Sequence, residues 1–390
     1  MNKPFWENKR VLITGHTGFK GSWLSLWLQS AGASVVGYAL HPPTQPSLFE
    51  TARVAEGMTS IIGDVRDLEH LKAVVAEHKP QTIFHLAAQP LVRHSYEDPI
   101  ETYSTNVMGT ANMLEAVRHS DSLRVVVSIT SDKCYENKEW LWGYREGDQL
   151  GGHDPYSSSK GCAELVISAY RRSYFPPERY EQHGVALAST RAGNVIGGGD
   201  WAKDRLIPDI MKALLENRTV IIRSPHAIRP WQHVLEPLHG YVCLAEKLWT
   251  HGPKFSQAWN FGPSSDDVKT VSWIVDYLTN AWGEGARWRL DGAEHPHEDT
   301  YLKLDCSKAR SLLRWAPKLS LPTTLDWIVE WYRGYQQHAD TPPLNPPREQ
   351  GGGPQGMVSS RALYMRDMRS LTEEQIVRFE GIGVEDTEIP

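Results

Sequence analysis

Arg10-Val-Leu-Ile-Thr-Gly15-His-Thr-Gly18-Phe-Lys-Gly21 is the stretch that decides the fold of this chain. Its first five residues form a short apolar run typical of a buried strand. A helical pattern that includes Trp23, Leu24 and Trp27 follows directly. Glycines at every third position of such a turn let the backbone approach a pyrophosphate at the helix N-terminus. A glycine-rich turn without a ligand is the plainer alternative, but the flanking strand and helix favour dinucleotide binding.

Strand and helix signals alternate through the next hundred residues. Apolar runs predict strands at 59–62, 82–86 and 124–130, and amphipathic stretches predict helices at 67–78 and 99–119. Such alternation with short connections predicts an α/β fold with a doubly wound parallel sheet of the Rossmann type. Ligands of these sheets lie at the carboxyl ends of the strands. Four residues fall at such ends: Gly15, Asp64, Ala87 and Ser131.

The end of the second strand would normally carry an acidic residue for the adenine ribose. Here Val35-Val-Gly-Tyr38-Ala-Leu-His41 contains no carboxylate. Tyr38 and His41 are therefore the candidate ribose neighbours, and this stretch leaves the choice between NAD and NADP open. Asp64, with Val65 beside it, is placed to meet the adenine amine.

Two further segments predict acid–base chemistry. Ser131-Asp132-Lys133 closes an apolar run, and Tyr156-Ser-Ser-Ser-Lys160 opens a helix. Tyr156 and Lys160 lie one helical turn apart, so their side chains share a face. A phenol has a pKa near ~10, and moving it to about 7 takes roughly 4 kcal/mol. A neighbouring ammonium group and a cationic nicotinamide could supply that free energy and make Tyr156 a general base. By itself the spacing is weak, because such pairs are common on solvated helix faces.

Together these motifs resemble the extended short-chain dehydrogenase/reductases that act on nucleotide sugars. The resemblance rests on Gly15-x-x-Gly18-x-x-Gly21, Asp64, His85-Leu-Ala-Ala88, Asn106 and Tyr156-x-x-x-Lys160. Within that family the chain is most similar to the CDP-glucose 4,6-dehydratases, over about residues 5 to 332. The stretches that carry this closer resemblance are Gly15 to Leu24, Ala88 to Arg93, Thr130 to Tyr135, Arg191 to Trp201 and Pro225 to Val234.

The resemblance implies a reaction on the glucose of CDP-glucose that is used in O-antigen and lipopolysaccharide deoxysugar biosynthesis. C4 is oxidised by NAD, water is lost across C5 and C6, and the hydride returns to C6. Tyr156 would take the C4 hydroxyl proton, and Ser131 would hydrogen-bond the same oxygen. Lys160 would hold the nicotinamide ribose, and Asp132 would protonate the departing hydroxyl.

The base that takes the C5 proton stays open. Lys133 stands where the related dTDP-glucose dehydratases carry a glutamate, and it would have to lose its proton to serve. Alternatively it stabilises the enolate or orients Asp132, in which case Tyr135 or Tyr156 would be the base.

The resemblance also implies two sets of binding residues. The cofactor would contact Gly15, Thr17, Gly18, Phe19, Lys20, Gly21, Tyr38, His41, Asp64, Val65, Leu86, Ala87, Ala88, Asn106, Thr130, Tyr156 and Lys160. The substrate would contact Gln89, Arg93, Ser131, Asn194, Arg205, Arg229, His233, His295 and His297. Arg229 matches a diphosphate-binding position, and His295 or His297 would replace a second arginine there. No further ligands are spaced as a metal site with these histidines would require.

Composition limits the partners. The chain has 390 residues and a formal net charge of −6, which gives no reason to expect nucleic acid or an anionic membrane. No apolar run predicts a signal segment or a membrane span. The four cysteines show no zinc spacing, so we expect free thiols in a reducing cytoplasm.

Domain boundaries follow from the motifs. We expect a dinucleotide-binding domain over 1–190 with a returning segment near 232–262, and a substrate domain over 191–231 and 263–339. Residues 340–356 are rich in Pro and Gly and predict a flexible linker. In the tail, 357–390, the capping-box pattern Thr372-Glu-Glu-Gln375 predicts the start of a short helix. Whether this tail docks on its own chain or bridges subunits is open.

Assembly and activity each have alternatives. Five apolar residues exceed what one sheet face needs: Met108, Met113, Leu165, Val166 and Ile167. The resemblance implies that their helices pair between subunits, so we expect a homodimer or homotetramer. A nucleotide-sugar 4-epimerase shares Tyr156 and Lys160 but has no use for an acid such as Asp132. A non-catalytic dinucleotide-binding scaffold would need neither Tyr156 nor Lys160.

Overall fold

A seven-stranded parallel sheet lies at the centre of the computed structural model, which describes residues 1–264, 267–292, 302–339 and 367–383. The strands are β1 Arg10–Thr14, β2 Ser34–Ala39, β3 Thr59–Ile62, β4 Thr82–His85, β5 Val125–Ile129, β6 Ala186–Arg191, β7 Val195–Ile196, β8 Val220–Ile222, β9 Ile228–Pro230, β10 Gln232–His233, β11 Ala258–Asn260, β12 Val268–Thr270 and β13 Trp288–Leu290. The main sheet has the order β11-β6-β5-β4-β1-β2-β3. This order confirms the predicted doubly wound α/β fold.

Helices cover both faces of this sheet. They are α1 Lys3–Trp6, α2 Phe19–Ser30, α3 Leu48–Thr51, α4 Leu68–His78, α5 Val92–Glu97, α6 Pro99–Tyr103, α7 Gly109–Arg118, α8 Pro155–Ser173, α9 Tyr180–His183, α10 Leu206–Leu215, α11 Leu235–His251, α12 Val271–Trp282, α13 Leu321–Ala339 and α14 Met368–Gly381. Shorter turns are the 3-10 helices Asp132–Cys134, Pro177–Arg179 and Gly252–Phe255 and the π turns Ser104–Met108 and Ala309–Leu313.

Alternation along the buried strands explains the two helical layers. In β1, Val11 and Ile13 belong to one apolar core, whereas Leu12 between them belongs to another. The first core includes α2, α11 and α13, and the second includes α4, α7 and α8. Because successive strand residues point to opposite faces, each face needs its own cover of helices.

The predicted helix over 99–119 is interrupted. It consists of α6, the π turn Ser104–Met108 and α7. Such turns add one residue to a helical turn and often accompany functional sites. Here the turn carries Asn106, which it directs into the interior.

The expected surplus of apolar residues on the predicted helix 99–119 and on α8 is partly wrong. Met113 and Ile167 are fully buried in the second core, where they cover the sheet. Met108 and Leu165 remain exposed, at 56% and 59%. The sequence period alone did not separate the residues that face the sheet from those that face outward.

Three two-stranded sheets lie outside the main one and hold the segments that we expect to bind the substrate. They are β10–β7, β12–β9 and β13–β8. After β10 the chain returns to the main sheet, since α11 packs against β5 and β6 and β11 pairs with β6. Arg191, at the end of β6, therefore lies where the chain leaves the main sheet for these smaller ones.

The C-terminal helix begins earlier than predicted. Asp367 caps α14 by accepting a hydrogen bond from the Ser370 N–H at 2.7 Å. Thr372 lies inside the helix and donates its hydroxyl to the Met368 carbonyl at 2.6 Å, so the predicted capping box is wrong. The helix packs on its own chain, against α13 and α2. The predicted linker at 340–356 lies outside the described residues.

Two further predictions concern the chain as a whole. All four cysteines are free thiols, as predicted. Among the described helices, none combines the length and the apolar character that crossing a membrane requires.

Candidate active site

The glycine turn between β1 and α2 forms a close-fitting cradle. Gly15 adopts a φ of +79°, and a Cβ on it would approach the Ala87 nitrogen to 2.7 Å. A Cβ on Gly21 would collide with the Gly15 carbonyl. Gly18 is the N-cap of α2, so the first backbone N–H groups of that helix face outward without a side chain above them. This arrangement fits a pyrophosphate, because helix N-termini bind anions.

Three side chains of the same turn point in different directions. Thr17 donates to the Leu40 carbonyl at 2.9 Å and so ties the turn to the end of β2. Phe19 reaches toward the substrate side, where a Cβ on Gly197 would lie 3.1 Å from its ring. Burial, together with the charges of Arg205 and Lys160, lowers the pKa of Lys20 to about 8. Lys20 therefore faces the catalytic residues as well as the cofactor turn.

The expected ribose neighbours differ in exposure. Tyr38 is fully buried and donates its hydroxyl to the Asp64 carbonyl at 2.9 Å, so it supports the turn after β3 and does not face a ligand. The expectation that Tyr38 meets the ribose is therefore wrong. His41 is exposed just beyond β2. Hydrogen bonds from Arg66 lower the pKa of Asp64, which keeps that carboxylate an acceptor. Val65 is buried in the second core.

At the end of β4, small residues border the site and amides brace it. Leu86, Ala87 and Ala88 are partly exposed. The Asn106 amide accepts from the Gln89 N–H at 2.8 Å and donates to the Ser159 hydroxyl at 2.9 Å. These bonds use the polar atoms of the Asn106 amide and fix its position, and its direct contact with the cofactor stays a prediction.

Gln89 and Thr130 are occupied in the same way. The Gln89 amide donates to the Thr102 hydroxyl at 2.9 Å and to the Leu91 carbonyl at 3.0 Å. The Thr130 hydroxyl donates to Glu164 at 2.5 Å. Both side chains are buried. Both side chains thus have partners within the protein, and their contacts with substrate and cofactor stay predictions.

Ser131 and Asp132 form a buried pair directly after β5. The Ser131 hydroxyl donates to Asp132 Oδ1 at 3.0 Å and accepts from the Lys133 backbone N–H at 3.2 Å. The Asp132 carboxyl fills the space that a side chain on Gly193 would need. Gly193, which sequence reasoning did not assign to the site, thus makes room for this carboxyl. Lys133 follows in the same turn and is half-buried.

Tyr156 and Lys160 face this pair from the first turns of α8. Asp154 caps the helix by accepting from the Ser157 N–H at 2.9 Å, which sets the register of the following residues. Both functional side chains are buried, and Lys160 Nζ lies 5.9 Å from the centre of the Tyr156 ring. Burial also lowers the pKa of Lys160 to about 8.

The charge state of Tyr156 differs from expectation. Burial raises its pKa to about 12, although a hydrogen bond with Ser131 and the charge of Arg205 act in the opposite direction. Desolvation of the phenolate therefore dominates in the protein without cofactor, and the expected joint effect of Lys160 and a cationic nicotinamide stays a prediction.

Arg205 and Asp200 complete the charged surroundings. Arg205 pairs with the buried Asp200 at 3.0 Å, and this carboxylate raises the pKa of the arginine. Sequence reasoning predicted Arg205 but missed Asp200, which ends the glycine-rich stretch at 197–199. The three cations Lys20, Lys160 and Arg205 make the site suited to an anionic ligand.

Tyr135 belongs to a buried network behind the site. Its hydroxyl donates to Asn260 at 2.8 Å and accepts from Arg191 at 2.7 Å. Arg191 in turn pairs with Glu164 at 2.9 Å. Burial raises the pKa of Tyr135 well above its usual value. The hydroxyl is buried and held by two protein groups, which favours Lys133 or Tyr156 over Tyr135 as the predicted C5 base.

The remaining predicted substrate residues lie on the smaller sheets and nearby loops. Arg229 on β9 stands opposite Lys269 on β12. Asn194 adopts a φ of +47° just before β7. Arg93 pairs with Asp204 at 3.3 Å on the surface.

The assignment of His233 is wrong. Its ring is fully buried between Trp23 and Trp327, and Nδ1 accepts from the Leu235 N–H. Burial lowers its pKa to about 3, so it is a neutral core residue. The predictions for His295 and His297 lie outside the described residues.

Comparison with known proteins yields one family and several full-length relatives. The model of the GDP-mannose 4,6 dehydratase family matches residues 12–327. The CDP-glucose 4,6-dehydratase of Salmonella typhimurium is 62% identical over 340 residues, which cover 87% of this chain and 95% of that protein. The dTDP-glucose 4,6-dehydratase of Streptomyces niveus is 26% identical over 355 residues, with 88% and 98% coverage.

Solved structures share the fold at lower identity. The dTDP-glucose 4,6-dehydratase of Bacillus anthracis, in complex with NAD, superposes with a TM-score of 0.68 at 23% identity and covers 84% of this chain and 98% of its own. The UDP-glucose 4-epimerase of Thermotoga maritima, with UDP-glucose, has a TM-score of 0.69 at 19% identity and covers 83% and 99%. Fold similarity therefore includes both dehydratases and epimerases, and the active-site residues have to separate them.

Proposed function

The chain belongs to the GDP-mannose 4,6-dehydratase family, and on this premise we propose that it catalyses the NAD-dependent dehydration of CDP-glucose to CDP-4-keto-6-deoxyglucose. The observation that carries the proposal is the buried Asp132 carboxyl, hydrogen-bonded to Ser131 directly beside Tyr156. A 4-epimerase only moves a proton and a hydride at C4, whereas a dehydratase also needs an acid to expel the C6 hydroxyl. The whole-length identity to a CDP-glucose 4,6-dehydratase supports the same assignment.

NAD fits the glycine cradle of the β1–α2 turn. Gly15 and Gly21 permit an approach that any Cβ would block, and the N-terminus of α2 faces the same space. When bound, NAD supplies the acceptor for the hydride of C4 and later its donor to C6. NAD rather than NADP is proposed because NAD-bound relatives share this fold and the stretch 34–41 carries no lysine or arginine for a 2′-phosphate.

Tyr156 removes the proton of the C4 hydroxyl, and Ser131 shares that oxygen through its own hydroxyl. With its pKa at about 12, ionising Tyr156 near neutral pH costs about 7 kcal/mol. A cationic cofactor ring would offset this cost by favouring the phenolate, whereas the lowering effect of Arg205 is already part of that pKa. Ionising the buried Tyr156 costs more than ionising a free phenol. Tyr156 therefore acts as a base once the bound cofactor lowers that cost.

Asp132 delivers a proton to the departing C6 hydroxyl. Ser131 holds one carboxyl oxygen at 3.0 Å, and Gly193 leaves room for the other. The C5 proton goes to Lys133 or to Tyr156, because Tyr135 is committed to Asn260 and Arg191. Lys133 is favoured in this proposal because it lies in the same turn as the acid.

Arg229 and Lys269 bind the diphosphate of the substrate. They stand directly opposite each other on antiparallel strands, where like charges destabilise a sheet. An anion between them removes that repulsion, and a guanidinium group is well suited to phosphate oxygens. Lys269 therefore supplies a second cation on the substrate side.

The protein acts as a homodimer or homotetramer in the cytoplasm in this proposal. Ile100, Met108 and Leu165 are 76%, 56% and 59% exposed on the layer formed by α6, the adjoining π turn and α8. Pairing two such layers would bury these side chains. The 4-keto-6-deoxy product suits the biosynthesis of deoxysugars such as those of O-antigen.

The proposal is tested by incubating the protein with CDP-glucose and NAD in deuterated water. A dehydratase yields a sugar nucleotide that has lost one water, carries deuterium at C5 and absorbs in alkali. A product of unchanged mass without alkaline absorbance would indicate an epimerase and refute the proposal. The Tyr156→Phe variant is the control, because it retains the fold but lacks the base for the C4 hydroxyl.

A further inference from the structure

The C-terminal helix α14 lies beyond the region that defines the family, which ends at residue 327. One face of α14 is nevertheless part of the main apolar core. Met368, Leu371, Ile376 and Phe379 are buried there. A helix that is only an appended tail would not need to bury four large apolar side chains in the core of the catalytic body.

Polar contacts fix α14 on α13. The Trp331 indole N–H donates to the Thr372 hydroxyl at 3.0 Å, and the Gln375 amide donates to the Trp327 carbonyl at 2.9 Å. Thr372 is fully buried, so its hydroxyl is the acceptor that satisfies the Trp331 N–H. The position of α14 therefore sets the orientation of the Trp331 ring.

Trp331 and its neighbour support the loop on the substrate side of the active site. The Trp331 ring occupies the space that a side chain on Gly198 would take. The Tyr332 hydroxyl donates to the Asp200 carbonyl at 2.5 Å. Asp200 holds Arg205, whose charge acts on Tyr156. Direct contacts thus lead from α14 to Arg205, and the charge of Arg205 acts on Tyr156.

The same helix also contacts the element that carries the cofactor turn. The Trp27 indole N–H, on α2, donates to Glu380 at 2.9 Å. Trp23, one turn earlier on α2, donates to the Gly198 carbonyl at 3.0 Å. Because α14 touches both α2 and α13, it can fix the substrate-side loop relative to the cofactor turn.

We propose that α14 is an intramolecular brace that positions the loop 197–205, and that Thr372 is the positioning residue through which it acts on Trp331. The brace sets where the sugar lies relative to the base Tyr156. It leaves the cofactor cradle, which is formed by the glycines of the β1–α2 turn, unchanged. The inference depends on the proposed function only for its kinetic readout.

The test compares the full-length parent with Thr372→Val, which keeps the shape of the side chain but removes the acceptor. Thr372→Ser restores a hydroxyl, and Arg378→Gln breaks the surface ion pair between α14 and Glu330 without touching Trp331. Tyr332→Phe removes the other support of the loop and serves if Thr372→Val does not fold. Each variant is measured for the KM of CDP-glucose, for NAD affinity and for amide hydrogen exchange of residues 197–205.

Thr372→Val should raise the KM of CDP-glucose about tenfold, as expected when a buried N–H loses its acceptor. NAD affinity should stay within about twofold, and exchange in 197–205 should become faster. Thr372→Ser and Arg378→Gln should behave like the parent, and Tyr332→Phe like Thr372→Val. If Thr372→Val lowers the melting temperature but leaves the KM and the exchange unchanged, α14 is merely structural and the proposal is overturned. A loss of NAD affinity as large as the rise in KM would also overturn it. If the parent does not convert CDP-glucose but Thr372→Val still shows faster exchange in 197–205, the proposed function is refuted and the brace is supported.

Discussion

Replacing Glu236 with glutamine should make the stability of the protein less dependent on pH. Glu236 is fully buried in the first turn of α11, and one carboxyl oxygen accepts the N–H groups of Lys318 and Leu319 at 2.8 and 2.6 Å. The other oxygen has no hydrogen-bond partner in the described part of the chain. Burial raises the pKa of Glu236 to about 7, with the charge of Asp267 adding to the shift and that of Lys318 opposing it.

The sign and the size of the effect follow from this raised pKa. The protonated carboxyl favours the folded state, so its contribution is complete below the unfolded pKa of 4.5 and is lost as the pH rises through about 7. Between about pH 5 and about pH 8, the parent should lose about 2.5 kcal/mol of unfolding free energy through this group. Glutamine cannot ionise and should not contribute that loss. Any constant cost of the amide cancels when the two pH values are compared.

The assay is urea unfolding followed by tryptophan fluorescence at both pH values. Glu69→Gln is the matched control, because it removes a carboxylate from the surface of α4. Between the two pH values, the unfolding free energy of Glu236→Gln should fall by about 2.5 kcal/mol less than that of the parent. The unfolding free energy of Glu69→Gln should fall by as much as that of the parent. Equal losses for the parent and Glu236→Gln would refute the reasoning, because the buried carboxyl would then not be protonated in the fold.

Three further changes test the cofactor cradle, the buried network and the assembly. Gly21→Ala should weaken NAD binding in calorimetry by at least about tenfold, since the new methyl would collide with the turn and close contact at the pyrophosphate would be lost. Gly147→Ala is the control and should bind NAD like the parent, because no described atom lies within 4 Å of its new Cβ. Tyr135→Phe should lower the unfolding free energy by about 2 kcal/mol and still form product. If the variant folds but does not dehydrate the substrate, Tyr135 is the C5 base. Leu165→Glu should shift the mass measured by light scattering toward that of the monomer. Leu312→Glu, at another exposed site, is the control and should not change the mass. A parent that is monomeric at micromolar concentration would rule out the proposed dimer.

Much of the central sheet could be predicted from local pattern. The apolar runs of β1, β4 and β5 are continuous because parallel strands are buried on both faces. The glycine turn followed by a helix fixed the position of the cofactor cradle in the same way. Capping aspartates before α4, α6 and α8 also agree with the predicted starts of these helices.

The errors lie where tertiary contacts decide a side chain's role. His233, Gln89 and Thr130 stand in motif stretches, but their polar groups face the protein interior. Lys160 lies near the Tyr156 ring as expected, yet burial raises the pKa of Tyr156 to about 12. Local sequence could not reveal these outcomes, because the groups that bury or engage each side chain come from distant segments.

The same limit applies to the C-terminal helix. Thr372-Glu-Glu-Gln375 has the pattern of a capping box, but Asp367 lies five residues earlier and caps the helix first. Trp331 then takes the Thr372 hydroxyl as its acceptor, although the two residues are 41 positions apart. The pattern was therefore read correctly as helical and wrongly as a helix start.

Single-turnover absorbance of NADH with Asp132→Asn measures whether Asp132 is the acid that expels the C6 hydroxyl. The amide keeps the shape of the carboxyl group but cannot deliver a proton to the C6 hydroxyl. We expect that this variant still oxidises C4, accumulates NADH with a 4-keto-glucose nucleotide, and forms product about 100- to 10,000-fold more slowly than the parent. Tyr156→Phe, measured beside it, should give no NADH signal. Formation of the 6-deoxy product by Asp132→Asn at the parental rate would contradict the account, because Asp132 would then not be the acid of a dehydratase.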